Sequence, residues 1–557
     1  MEQCSAVQNS SPLLVAASNQ VINNQTHTTQ SASLNVSNNC SGYVIVGDNI
    51  DKNIRPSYQR QDRTTQSLHY FHSYAVLNRL DTSGLSDNRP SHITISPEKI
   101  IPDFSERQKL LGDFETLVTR ILVEHMDEFK AQKCEVQWHV KSDYSEEMAS
   151  KSRVVPLGLV LKNEAKLKDM TEILDDLSKY VPVHVASRTE TIEGKSFDID
   201  DSRLFQILLF GDQLTVARAR GAIGLRDDDT DALHRLEGFV PAVADWHTRM
   251  CLLQEMWKRL YSKKGSRDRG TLYQLKNLLN RTAVKQDPSK AMKATEDFLT
   301  VLFAYVITAA KKLIEERPMH SHQCNDIARQ IVSRWVKINL SSDVTDMPPK
   351  GTDCSYAIDF ITLGLLWHGF HDAVREGEGN RIIRYWRFLL PVFKQCGRRN
   401  YAIEAFNLLA QMLLLSPRKV AELKWCRTVN TIGRVGHNIP CDLHMEHLNK
   451  RLKFMIGNLG SNTMPQCMKS IGMSLGIIAK VCSTFEHGAE VHENKAFHTY
   501  PKFTKDLKSI VDQLVSDKIF DGQGHLFLSY KKHPLLQTIN WSSLTKWVVE
   551  KIVDLDL

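Results

Sequence analysis

Three short apolar runs, each followed by an aspartate, constrain the fold of this chain more than any other sequence feature. The runs are short and almost entirely apolar, so they predict buried strands rather than amphipathic helices. Loops at the carboxyl ends of strands in an α/β sheet converge on one edge, where ligands commonly bind. The pattern therefore predicts a sheet that gathers acids at one edge. The runs are residues 43–46 before Asp48, 204–210 before Asp212 and 238–244 before Asp245.

The rest of the chain alternates strand and helix patterns at first and then becomes helical. Alternation followed by helices alone predicts an α/β fold with a mixed sheet, interrupted by a large all-α insertion. The polar first 40 residues cannot bury enough apolar surface to fold, so they are predicted to be disordered. Further strands are predicted at 68–77 and 154–161, helices at about 105–135, 164–179 and 440–455, and a turn at 47–49. The expected parts are the tail 1–40, the α/β core 41–248, the helical insertion 249–435 and a mainly helical part 436–557.

The composition is that of an ordinary folded protein and excludes several classes. The formal net charge of +7 permits contact with a polyanion without requiring it. Eleven scattered cysteines without a CxxC pair are typical of reduced thiols, so the protein is expected to be nuclear or cytoplasmic and not secreted. No apolar run approaches the ~18 residues of a membrane span. Walker, GxSxG, HExxH and GxGxxG motifs are absent, which weighs against nucleotide hydrolysis, serine hydrolysis, metalloprotease and dinucleotide functions.

Acids gathered at one sheet edge are what two-metal phosphoryl transfer requires. Mg²⁺ or Mn²⁺ ions about 4 Å apart activate the attacking oxygen and stabilise the leaving oxygen. Such hard cations prefer carboxylate oxygens, which makes Asp48 and Asp212 candidate ligands. An acid after a strand is also a common turn former or helix cap, so that interpretation stays open for each position.

Two glutamates compete for the position of a final acid. Glu446 lies on a helix whose polar side also carries Asp442, Asn449 and Lys453, at helical spacing. That side would face a metal site and a phosphate together. Glu404 lies among apolar residues and is interpreted as a surface position on a packing helix. We therefore predict Glu446.

Four phrases carry a resemblance to a known family. They are GDNID (47–51), LFGDQLT (209–215), ADWH (244–247) and DLHMEHLNK (442–450). In this order they resemble an uncharacterised animal and fungal family known only as a domain of unknown function, number six-five-eight-nine. The similarity is expected to extend over residues 43–550. The layout of that family in turn resembles eukaryotic DDE transposases, which have a ribonuclease H-like core and a helical insertion.

The resemblance implies a transposon-derived nuclease or strand-transfer protein that acts on DNA with Mg²⁺ or Mn²⁺. In such transposases the first Asp lies on the first strand, the second follows the fourth strand, and the final Glu lies on a helix. Asp48, Asp212 and Glu446 would occupy these positions and bind the metal ions. Asp245 and His247 would match a motif after the fifth strand, although here one residue separates them where two are usual.

Other residues are expected to support the site or to contact DNA. Asp245 and His247, together with Asn49, are the predicted supporting residues. Two basic segments would hold DNA phosphates, and a solvated helix end explains them equally well. A DNA substrate implies nuclear residence, and a homo-oligomer is compatible with such a site. The predicted DNA contacts are Lys258, Arg259, Lys263, Lys264, Lys450 and Lys453.

An alternative function is a domesticated or truncated copy that no longer cuts and serves as a DNA- or protein-binding scaffold. The sequence contains neither a zinc finger nor a clear helix-turn-helix at its amino end, which favours this alternative. The presence of all three candidate acids favours the enzyme. A nuclease requires the carboxylates of Asp48 and Asp212 to lie close enough to share one metal ion.

Overall fold

Each of the two units of this chain is assembled from three segments that are separate in the sequence. The computed structural model describes residues 42–55, 58–62, 64–91, 94–184, 187–192, 195–200, 203–316, 323–340, 351–459, 464–490, 503–522 and 526–555. The predicted disordered tail, residues 1–40, lies outside these ranges. The first unit combines Met1–Pro90, Tyr144–His247 and Leu415–Asn494, and the second combines Ser91–Asp143, Thr248–Leu414 and Lys495–Leu557. Each unit therefore contains segments from both sides of the predicted boundary at residue 248.

The described strands all belong to the first unit. They are β1 (Tyr43–Ile54), β2 (Gln66–Leu77), β3 (Val154–Val160), β4 (Val183–His184), β5 (Ser187–Ile192), β6 (Lys195–Asp200), β7 (Arg203–Leu204), β8 (Ile207–Gly211), β9 (Phe239–Val243), β10 (Thr428–Asn430) and β11 (Asn438–Pro440).

The α-helices are distributed over both units. They are α1 (Pro97–Ile100), α2 (Phe104–His125), α3 (Ser145–Ala149), α4 (Leu167–Leu177), α5 (Gln213–Gly224), α6 (Trp246–Leu260), α7 (Leu272–Leu278), α8 (Met292–Phe298), α9 (Val301–Glu316), α10 (Cys324–Trp335), α11 (Thr352–Glu376), α12 (Gly379–Gln395), α13 (Arg399–Leu414), α14 (Pro417–Trp425), α15 (Cys441–Gly457), α16 (Pro465–Gly488), α17 (Thr504–Ser516) and α18 (Trp541–Val553).

A five-stranded mixed sheet forms the centre of the first unit. Its strand order is β3-β2-β1-β8-β9. β2 runs antiparallel to β1 and β3, whereas β1, β8 and β9 are mutually parallel. Four of the five strands therefore point the same way, and their carboxyl ends lie at one edge. The predicted α/β class with a mixed sheet is confirmed.

Apolar strands and one amphipathic helix hold this sheet in place. Every residue of β8 and β9 is buried. Helix α4 buries Met170, Ile173, Leu174 and Leu177 in the same core cluster, at the i, i+3, i+4, i+7 spacing of one helix face. Each such side chain contributes about 1.5–3 kcal/mol when fully buried. The loop between β3 and α4 is tied to the helix as well, since the backbone N–H of Asn163 donates to Asp169 Oδ2 at 3.1 Å.

The second unit consists of helices and connecting turns over its described residues. Helix α11 is buried along most of its length, and α12 packs against α13. Arg381 and Arg384 of α12 both form ion pairs with Asp113 of α2, which ties these helices together. Among the described helices of the whole chain, none combines the length and apolar character needed to cross a membrane.

Two local predictions were wrong. The predicted turn at 47–49 is absent because β1 continues to Ile54 and pairs with β2 in unbroken register, from Gly47 opposite Ser73 to Ile54 opposite Gln66. Asp48 therefore lies inside a strand. The segment 249–435 was expected to be helical throughout, but it contains β10, which pairs with β11 in a small antiparallel ribbon.

Candidate metal centre

Three carboxylates meet at the edge where the parallel strands end. Asp48 lies on β1, Asp212 directly follows β8, and Glu164 follows β3 by four residues. One oxygen atom from each lies within 4.8 Å of the other two. Asp48 and Glu164 are buried and Asp212 is half-buried. The two aspartates predicted to converge do so, and Glu164 joins them as a third acid.

A short hydrogen-bond chain orients two of these acids. The backbone N–H of Thr215 donates to Asp212 Oδ1 at 2.8 Å, so Asp212 caps the start of α5. The Thr215 hydroxyl donates to Glu164 Oε2 at 2.9 Å, and the backbone N–H of Asn49 also donates to Glu164. Asp212 is therefore both a helix cap and a member of the acid cluster.

The glycines that precede the two aspartates make room for their neighbours. A Cβ on Gly47 would lie 2.1 Å from the Phe71 ring. A Cβ on Gly211 would lie 2.6 Å from Cγ2 of Thr215. The glycine before each aspartate is thus required by close packing around the cluster, because real Cβ atoms do not approach other atoms so closely.

The electrostatics of the cluster are unfavourable when all its acids are ionised. Burial and the charges of Glu164 and Asp212 raise the pKa of Asp48 well above its ordinary value, and Glu446 adds to this while His247 lowers it. Burial and the charge of Asp212 raise the pKa of Glu164 from 4.5 to about 8. A cation held between the carboxylates would relieve this repulsion.

Helix α15 contacts the cluster through Asn449, whereas its predicted acid Glu446 is not one of the three carboxylates that meet there. The side-chain amide of Asn449 donates to Asp48 Oδ2 at 3.3 Å and to the backbone oxygen of Asn49 at 3.1 Å. Its oxygen lies 2.8 Å from Nδ1 of the buried His72, on β2. One turn earlier on α15, Glu446 is half-buried and its charge acts on Asp48.

The competing acid Glu404 belongs to the second unit, on α13. Glu404 is only 1% exposed, so the prediction that it lies at the surface was wrong. Isolated acids among apolar neighbours on a helix can face either way, and the sequence pattern did not distinguish them.

His247 and Asp442 form a second charged pair beside the acids. Asp442 Oδ2 lies 3.1 Å from His247 Nδ1, and Asp442 also accepts the backbone N–H groups of Trp246 and His247 at 3.0 Å. Burial lowers the pKa of His247, but Asp442, with Asp212 and Asp48, raises it to about 9 overall. Burial raises the pKa of Asp442, and its bonds to His247 and the backbone lower it overall. The pair with Asp442 therefore favours the protonated, cationic form of His247.

Asp245 has a different role from the one in the predicted motif. Arg427 Nε and Nη2 donate to its carboxylate at 2.9 and 2.7 Å, and both side chains are fully buried. Arg427 Nη2 also donates to the backbone oxygen of Val243 at 2.6 Å. Arg427 follows α14 and precedes β10, so this pair joins the end of β9 to the segment that leads into α15.

The predicted supporting residue Asn49 acts through its backbone, since its N–H and oxygen bind Glu164 and Asn449. Its side chain donates to Asp51 at 3.1 Å. Asn49 therefore helps to position Glu164 and Asn449 through its backbone.

The predicted DNA contacts divide between the two units. Lys450 is exposed and Lys453 half-buried on α15, in the first unit with the acids. Lys258, Lys263 and Lys264 are exposed residues of the second unit. In the same unit, the guanidinium of Arg259 is bound to the buried Asp359.

Two residues at the site were missed as ligands or partners by sequence reasoning. Glu164 follows an apolar strand, as Asp212 does, but it was interpreted as the first residue of a helix; the helix begins at Leu167. His72 lies directly opposite Asp48 in the β1–β2 register. The position of His72 beside Asp48 follows from the pairing of β1 with β2, which the sequence pattern does not give.

Comparison with known proteins identifies a family without an assigned activity. Neither the curated proteins nor the solved structures compared with this chain give a match. The profile of DUF6589, described as a family of unknown function, matches residues 90–498. This range is shorter than the predicted 43–550, and it leaves out β1 with Asp48. Because the match covers well over half of its length, the chain belongs to the DUF6589 family.

Proposed function

We propose that the first unit is a ribonuclease H-like core that binds Mg²⁺ or Mn²⁺ and cuts or joins DNA phosphodiesters, as a transposon-derived DDE-type protein would. The order of the acids along the fold supports this. Asp48 lies on the first strand of the sheet, Asp212 follows the fourth, and Glu446 lies on a helix far along the chain. Glu164 would be an additional ligand.

The observation that carries the proposal is the convergence of three oxygen donors within 4.8 Å. A donor set made of carboxylates alone suits a hard divalent cation, and it suits zinc or copper less well. The raised pKa of Glu164, to about 8, is what unneutralised acids in a buried cluster would show. The residues present therefore fit a magnesium or manganese site.

The surrounding residues have separate tasks in this proposal. Thr215 and the Asn49 backbone orient Glu164, and Asn449 orients Asp48. His247, held by Asp442, would supply positive charge beside the acids. When bound, the metal ions would polarise the phosphodiester and stabilise the charge that develops on its oxygens.

The proposal can be tested by nicking of supercoiled plasmid DNA with the full-length protein, in Mg²⁺, in Mn²⁺ and in EDTA. We expect metal-dependent nicking that Asp212→Asn reduces to background. Asparagine can still cap α5, so this variant should fold normally. Asp176→Asn is the matched control, because Asp176 is an exposed surface partner of Lys179. Wild-type activity in Asp212→Asn would eliminate the proposed centre.

Calorimetric titration with Mn²⁺ separates the enzyme from its alternative. Binding that Asp212→Asn weakens, together with nicking, supports the enzyme. Binding without nicking favours a domesticated scaffold that has kept the metal centre. If the wild-type protein does not bind Mn²⁺ at all, the carboxylate cluster is not a metal site.

A further inference from the structure

We propose that the exposed face of α15 binds a nucleic-acid strand that contains at least one unpaired base, with Phe454 stacking on that base. The inference rests on the proposed function, because the same helix carries Glu446. The basic face, as we call it, consists of His447, Lys450, Arg451 and Phe454, all exposed. Their i, i+3, i+4, i+7 spacing places them on one side of the helix.

Positive charge is concentrated on the basic face. Within the described part of the chain, neither Lys450 nor Arg451 takes part in an ion pair. Lys450 and Arg451 are adjacent in the chain and both are exposed, so a bound polyanion would relieve the repulsion between their charges.

Phe454 distinguishes this face from an ordinary solvated helix surface. It is 70% exposed and lies one turn after Lys450 and Arg451. Single exposed apolar residues are common on protein surfaces, but an aromatic ring among cations provides what an unpaired base needs: a stacking platform and phosphate contacts. An anionic membrane would require a broad apolar face, and the basic face offers one aromatic ring.

The position of the basic face on α15 relates it to the acid cluster. Asn449 of the same helix binds Asp48, and Glu446 acts on that cluster. Lys450 and Phe454 follow Glu446 by one and two turns, which are about 6 and 12 Å along the helix axis. A strand held at the acids would therefore pass Lys450 and reach Phe454. Frayed, hairpin or single-stranded substrates fit this path better than a continuous duplex.

Fluorescence anisotropy with the full-length protein in EDTA tests the inference without cleavage. The probes are a labelled single-stranded DNA, an RNA of the same sequence and the blunt duplex. We expect Phe454→Ala to weaken single-strand binding roughly 5- to 100-fold and to leave duplex binding unchanged. The double variant Lys450→Glu with Arg451→Glu should weaken binding to all probes and reduce its salt dependence. Phe485→Ala is the matched control, because Phe485 on α16 is 73% exposed.

Two results would overturn the inference. One is wild-type single-strand binding by Phe454→Ala. If that variant has also lost binding to anionic phospholipid vesicles, the face is a lipid surface. The other is an equal weakening of single-strand and duplex binding by Phe454→Ala, which would show that the ring does not stack on an unpaired base. The binding assay is run in EDTA and so measures binding without metal ions, whereas nicking needs Mg²⁺ or Mn²⁺. Binding can therefore be lost while nicking is normal, and nicking can be lost while binding is normal. The two proposals are therefore distinguishable.

Discussion

Replacement of Glu164 by Gln should stabilise the metal-free protein at alkaline pH. The pKa of Glu164 is raised from 4.5 to about 8 by burial and by Asp212. The folded protein keeps a proton that the unfolded chain releases, so the stability present below pH 4.5 is lost as the pH rises through about 8. At about 1.36 kcal/mol for each pH unit, the difference corresponds to at most about 5 kcal/mol.

We expect Glu164→Gln to recover about 1–3 kcal/mol of this at pH 9, because water entering the site screens part of the repulsion. The glutamine oxygen can still accept the hydrogen bonds from Thr215 and Asn49. Urea unfolding in EDTA measures the gain, which should be much smaller at pH 5. Adding Mn²⁺ at about 100 times its Kd should stabilise the wild type by about 2.7 kcal/mol and the variant by much less.

A different result would refute this reasoning. If Glu164→Gln lowers the free energy of unfolding equally at pH 5 and pH 9, Glu164 is a structural hydrogen-bond acceptor. If the variant also retains the full stabilisation by Mn²⁺, Glu164 is not a ligand. Asp176→Asn should leave the stability at pH 5, the stability at pH 9 and the stabilisation by Mn²⁺ unchanged.

Three further substitutions test the residues that hold the site in place. Arg427→Met should lower the free energy of unfolding in urea by about 3–5 kcal/mol, because it leaves Asp245 buried without its partner; an equally stable variant would contradict the pairing. Asp442→Asn should lower the pKa of His247 from about 9, as measured by NMR. Its destabilisation should therefore be greatest between about pH 4 and 6.5, where Asp442 is ionised and His247 is protonated even in the unfolded chain, and should shrink as the pH rises through 9. Gly211→Ala should weaken Mn²⁺ binding in calorimetry, since the new Cβ would meet a threonine methyl group at 2.6 Å.

The sequence predicts the strands of the sheet well because their apolar runs are buried on both faces. The runs before Asp212 and Asp245 correspond to β8 and β9, whose residues are all buried. The error at β1 has a physical cause. Gly47 and Asn49 are typical turn residues, but pairing with β2 along the whole strand outweighs that local preference.

The roles of the individual acids could be predicted less well than their location. Asp245 and Asp212 both follow buried strands, yet Asp245 is neutralised by Arg427, which is 182 residues away in the chain. Asp442 shares the polar side of its helix with Glu446, but its carboxylate binds the first residues of α6. Such partners come from distant segments, and a local pattern does not contain them.

The wide separation of Asp48 and Asn449, 401 residues along the chain, has a consequence for biosynthesis. A ribosome that adds about 5–20 residues per second needs roughly 20–80 s to pass from one to the other. During that interval the nascent polypeptide carries its aspartates without the helix that orients them. The proposed metal centre would therefore remain incomplete until α15 has been translated, and any product that stops before α15 would lack that helix.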